Sequence, residues 1–115
     1  MITFVRALKS SYKTGLLSNV NNRHSLDERF HPGELDQLFD TVIASGDVGL
    51  EKPDAGIYEL AAHQLGVGPQ ECLFVDDILA FCRAAERVGM QSIHCQDVGD
   101  TIQNVKRKTD TPHEN

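Results

Sequence analysis

Three short clusters hold the side chains in this chain that could do chemistry together. Ser18 and Asn19 close an apolar run (GLLSN, 15–19), Lys52 stands before Pro53 and Asp54, and Asp76 and Asp77 close a second apolar run (CLFVDD, 72–77). Each cluster falls where a buried strand would meet a loop, so all three could converge on one edge of a parallel sheet. A hydroxyl, an ammonium and two carboxylates in one place describe a site for a phosphate and a hard metal ion. Adjacent carboxylates repel, which raises one pKa unless a cation or hydrogen bonds hold them. Mg²⁺ suits oxygen ligands of that kind and keeps several of its waters. Lys52 precedes a proline that fixes the local backbone and a helix whose N-terminus is itself electropositive. Ser18 Oγ and the neighbouring Asn19 N–H could both donate to one oxyanion. Each cluster also has a plainer reading: an acidic turn capping the next helix, a surface lysine beside Glu51, and a Ser-Asn turn.

Four apolar runs must position these residues. They are Leu16-Leu17 after Gly15, Thr41 to Ala44, Leu73 to Val75, and Ser92 to Cys95. All are short and near-continuous rather than alternating, as expected of strands buried on both faces. Parallel strands need crossovers, and helix-like stretches lie between them. The clearest spans about Pro53 to Leu65, with Ile57, Leu60, Ala61 and Leu65 on one face and Gly66 placed to end it in a left-handed conformation. Another spans Leu79 to Val88, with Ala80, Ala84 and Val88 on one stripe and Gly89 as its stop. A short helix is expected at Leu35 to Phe39, and a last one at Thr101 to Lys108. Residues 109–115 read as a disordered tail. Strand and helix repeated four times give an α/β, doubly wound, Rossmann-like layout, in which ligands bind at the carboxyl ends of the strands.

The order and spacing of the three clusters resemble motifs II, III and IV of the haloacid dehalogenase-like (HAD) hydrolase superfamily. The resemblance covers nearly all of residues 8–97 and is most continuous over EKPDAGIYELAAHQLGVGPQECLFVDD (51–77). It implies a Mg²⁺-dependent phosphatase acting on a small phosphorylated metabolite. Ser18 would orient the phosphoryl group beside Asn19, and Lys52 would neutralise both a carboxylate nucleophile and a phosphoryl oxygen. Asp77 would bind Mg²⁺ directly and Asp76 through water. Two departures stand out. The family's first motif, Asp-x-Asp-x-Thr on a central first strand, is not in residues 1–115, where no two aspartates stand two apart. Four residues after Asp77, where the family often has Asn or Asp, this chain has Phe81. Residues 1–108 are therefore expected to form the C-terminal portion of a HAD-like core domain, without its central first strand or its cap, and to be inactive alone. Metal affinity should fall as well, because the first motif supplies metal ligands.

Composition narrows the alternatives. With 115 residues the chain is one domain at most, and a net charge of −6 argues against nucleic acid as a partner. The only basic cluster, Lys106 to Lys108, reads as a solvated helix end. Cys72, Cys82 and Cys95 are odd in number and widely spaced, which points to reduced thiols in a cytoplasmic protein. His94 beside Cys95 alternates faces on a strand, which speaks against a zinc site. No apolar stretch approaches the ~20 residues of a membrane span. A receiver domain shares the Asp-Asp and Lys vocabulary, but there the acidic pair comes first. A dehalogenase would need no metal, against the Asp76-Asp77 pair. Two readings remain: a truncated or split hydrolase, and a non-catalytic interaction module that completes its sheet with a strand from a partner or by self-association. In either case the strands around Leu17 and Phe74 must pair directly or leave an open gap.

Overall fold

The computed structural model describes residues 2–110. Four parallel strands form two separate ribbons. β1 (Gly15–Ser18) pairs with β2 (Thr41–Ala44), Leu17 opposite Ile43, and β3 (Leu73–Asp76) pairs with β4 (Gln91–His94), Val75 opposite Ile93. Among the described residues, β1 and β3 do not pair, so of the two expected outcomes the gap is the one observed.

Helix α5 (Ala55–Leu65) joins the two ribbons through one core. Its buried Ile57, Tyr58, Ala61 and Ala62 cluster with Ile43 of β2, Ala84 and Ala85 of α6 (Leu79–Arg87), and Met90. Leu17 of β1 and Phe74 of β3 pack against this cluster from either side of the gap. The two glycine stops behave as their sequence positions predict, with Gly66 at φ 75° after α5 and Gly89 at φ 103° after α6. Helices α2 (Arg23–Asp27) and α3 (Glu34–Leu38) cover the other face of the first ribbon, where Leu26, Leu35 and Ala44 are buried with Leu16 and Val42 against them.

Besides the short helices α2 and α4 (Ser45–Val48), which the apolar pattern does not announce, three features depart from the sequence reading. A first helix, α1 (Ile2–Leu8), packs on α3, and an Arg6–Glu34 ion pair joins the two; just beyond it, Lys9 pairs with Asp40. Burial on both faces holds for β1 but not for β3: Phe74 joins the core, while Val75, on the opposite face, is 37% exposed. Alternation along the strand puts the two side chains on opposite faces; α5 and α6 pack on the Phe74 face, and Val75 stays exposed although Ile93, opposite it on β4, is buried. Finally, α7 (Val98–Asp110) begins three residues earlier than expected and runs two residues into the segment read as a tail; residues 111–115 lie outside the described residues. The basic residues Arg107 and Lys108 fall in its last turn, as expected of cations at a helix C-terminus. No helix among the described residues is long and apolar enough to cross a membrane.

Candidate active site

The carboxyl ends of β1 and β3 face each other across the gap, and Lys52 spans it. Its Nζ donates to the Leu17 carbonyl of β1 at 3.2 Å and to Asp76 Oδ2 of β3 at 2.8 Å. Both side chains of this ion pair are only 10% exposed. The aromatic rings of Phe81 and Phe74 stand 5.1 and 5.9 Å from the ammonium, within reach of a cation–π attraction. Burial pushes the Asp76 carboxyl up. The Lys52 ammonium and the Ile78 N–H outweigh it, so Asp76 stays below the usual carboxylate range. Asp76 is therefore a fixed anion at neutral pH.

The loop before α5 delivers Lys52. The Lys52–Pro53 peptide is cis, and α5 begins at Ala55, so the lysine stands just ahead of the helix rather than on it. Its main chain is held from the β1 side: Asn19 Oδ1 accepts from Lys52 N–H and Asn19 Nδ2 donates to the Lys52 carbonyl, both at 3.0 Å. Ser18 ends β1 half-buried, and its hydroxyl has no hydrogen-bond partner among the described residues. The loop that follows rests on α4 (Ser45–Val48), where Gly46 N–H and Ser45 Oγ both donate to the Val20 carbonyl at 2.9 and 3.1 Å, and Arg23 N–H donates to Asp47. A Cβ on Gly46 would lie 1.8 Å from the Asn21 carbonyl oxygen, so glycine is required there for the two loops to meet.

Asp77 is exposed, and its carbonyl lies 2.9 Å from His94 Nε2, which ties the acidic turn to the end of β4. The Cys82 thiol lies under that turn, 3.5 Å from the carbonyls of Asp76 and Ile93, and burial pushes its pKa up. Tyr58, wholly buried, donates to the Phe81 carbonyl at 2.8 Å and meets Phe74 edge to face. The structure thus brings Asn19, Lys52 and Asp76 into one hydrogen-bonded chain, sets Ser18 next to the carbonyl that Lys52 caps, and leaves Asp77 on the rim. Sequence reasoning passed over Asn19 as a clamp, Gly46 as a contact and His94 as a tether. For Gly46 the only available signal was a glycine inside a short polar stretch.

The family model for haloacid dehalogenase-like hydrolases matches residues 1–89. This chain belongs to that family. It is 33% identical over 101 residues to phosphatase MT3486 of Mycobacterium tuberculosis (strain CDC 1551 / Oshkosh), covering 88% of this chain and 46% of that protein. A solved HAD-like hydrolase from Porphyromonas gingivalis superposes with a TM-score of 0.75 at 32% identity, covering 92% of this chain and 56% of that one. The HAD family enzyme bt-2542 of Bacteroides thetaiotaomicron, solved in complex with magnesium and inorganic phosphate, superposes with a TM-score of 0.73 at 21% identity, covering 86% and 54%. The chain spans roughly half the length of these relatives.

The residues present fit a hard cation in kind. Asp76 and Asp77 are adjacent carboxylates, one fixed as an anion and one open to solvent, and Mg²⁺ commonly takes only one or two protein carboxylates with water and phosphate completing its shell. Among the described residues no group of three or more His, Cys, Asp or Glu side chains is placed to hold a metal.

Proposed function

We propose that this chain forms the C-terminal half of the active centre of a Mg²⁺-dependent phosphatase acting on a small phosphorylated metabolite in the cytoplasm. The observation that carries this reading is the buried Lys52, held at the mouth of the gap between the carboxyl ends of β1 and β3. An ammonium fixed there, with little water around it, attracts an anion far more strongly than a solvated lysine does. The unpartnered Ser18 hydroxyl and the Asn19 N–H would take phosphoryl oxygens on the β1 side. Asp77, and Asp76 through water, would hold Mg²⁺ on the β3 side, where the cation supplies charge neutralisation at a phosphoryl oxygen. The carboxylate that attacks phosphorus would come from an Asp-x-Asp-x-Thr strand filling the gap, which residues 1–115 do not contain. Free thiols at Cys72, Cys82 and Cys95 agree with a reducing compartment.

The test is turnover of a generic phosphate monoester by residues 1–115 alone and by the same residues joined to a HAD first strand and cap. The isolated chain should stay at background with or without Mg²⁺. The joined protein should turn over and lose at least ~100-fold in Lys52→Ala or Asp77→Ala, the scale of removing one preorganised electrostatic group. Wild-type-like rates in Lys52→Ala would remove that lysine from the site.

The facing free edges of β1 and β3 favour a second reading, an interaction module of the same ancestry that accepts a strand from a partner or from another copy. Sedimentation across protein concentrations separates the two: this reading requires a concentration-dependent assembly that forms without any gain of turnover.

A further inference from the structure

We propose that Asn19 acts as the positioning residue for Lys52, setting its ammonium at the gap through the main chain rather than by contact with substrate. Both ends of the Asn19 amide engage one residue, its oxygen the Lys52 N–H and its nitrogen the Lys52 carbonyl, both at 3.0 Å. A planar amide that meets both main-chain groups of one residue fixes the orientation of that residue as well as its distance. Lys52 has long side-chain reach but must satisfy two acceptors on different strands, Leu17 O at 3.2 Å and Asp76 Oδ2 at 2.8 Å. With the backbone anchored, the four-carbon stem spans a set interval, and Phe81 and Phe74 limit where its end can go. The anchor is itself held, because the loop after Asn19 rests on Gly46 and Ser45. The value of this arrangement for phosphate chemistry rests on the function proposed above; the clamp itself does not.

The experiment is competitive acetylation of the intact 115-residue chain, with the rate at each lysine read by mass spectrometry. It compares the wild-type chain with Asn19→Leu, Asn19→Asp and Asn22→Leu. Asn22 is an asparagine of the same loop whose side chain caps α2 instead. Lys9 and Lys13, bonded to Asp40 and to the Leu65 carbonyl, serve as internal standards. Asn19→Leu should raise labelling of Lys52 at least about fivefold over the standards, as expected from losing two hydrogen bonds. Asn19→Asp, which keeps the acceptor for the Lys52 N–H and loses the donor, should fall between wild type and Asn19→Leu. Asn22→Leu should leave Lys52 unchanged. Unaltered Lys52 labelling in Asn19→Leu would overturn the proposal. So would a rise shared equally by Lys9 and Lys13, or the same rise in Asn22→Leu, since either would mean general loosening. Labelling reads the position of the ammonium and not turnover, so a failed phosphatase assay would leave this result standing, and a failed labelling test would leave the phosphatase reading open.

Discussion

β1 and β3 begin from the same sequence character and end in different surroundings. Both are four-residue apolar strands, each paired in parallel on one edge and free on the other among the described residues, and both carry a candidate site residue at the carboxyl end. On the face turned from α5, Leu16 of β1 packs under α2 and α3, whereas Val75 of β3 stands 37% exposed, and Ile78 and Leu79 beyond it are 46% exposed. The difference lies in the connections. Between β1 and β2 the chain supplies two helices for that face, whereas on the second ribbon α7, which follows β4, packs on β4, where Ile93 is buried, and leaves Val75 beside it exposed. An apolar run thus states that a strand can be buried on both faces, while the helices available decide whether it is.

The sharpest way to break the comparison is to cut the bridge between its two sides. Lys52→Ala leaves Asp76 buried without its cation, and removing one partner of a buried pair costs about 3 kcal/mol or more. Urea unfolding at neutral pH should show that loss. A midpoint within error of wild type would mean that the two ribbons are not held through this contact.

Next comes the contrast between the strands themselves. Leu16→Ala should cost about 2 kcal/mol through lost packing and a residual cavity. Val75→Ala, on the equivalent face of β3, should stay within about 0.5 kcal/mol, as surface substitutions do. Equal losses at the two positions would show that the outer face of β3 is covered in solution.

The smallest effect concerns the core beneath both strands. Tyr58→Phe removes the hydrogen bond to the Phe81 carbonyl and should cost about 1 kcal/mol. Burial, with the Asp76 charge adding to it, pushes the Tyr58 phenol up to about 12 from its ordinary value of 10. The folded state therefore binds that proton more tightly than the unfolded chain. The stability this contributes is fully present below pH 10 and lost as pH rises through about 12. Tyr58→Phe should flatten the fall in urea midpoint over that window, and an unchanged alkaline slope would assign it to other groups.

The sequence made the strands and the two longest helices readable because their signals are local: unbroken apolar runs, a 3.6-residue repeat over 55–65, and glycines at both stops. The meeting of Lys52 with Asp76 was foreshadowed by the position of each where a strand or helix meets a loop, and by the order and spacing of the three clusters. What stayed hidden depends on partners distant in sequence. The use of the Asn19 amide is decided by a residue 33 positions away, the exposure of Val75 by where the helices of the second ribbon pack, and the need for glycine at 46 by the close approach of Asn21. Helix α1 is short, and Phe4, Val5 and Leu8 are only half-buried, so its apolar face gives little periodic signal.

The gap between the ribbons also bears on how this chain reaches its native state. Every strand pairing joins neighbours in sequence, Gly15 with Thr41 and Leu73 with Gln91, and none links the first ribbon to the second. Closing either loop spans only a short stretch of chain, a modest entropic cost. What joins the two ribbons is the core around α5 and the ammonium of one loop meeting its carboxylate across the cleft, so neither ribbon has a core of its own there.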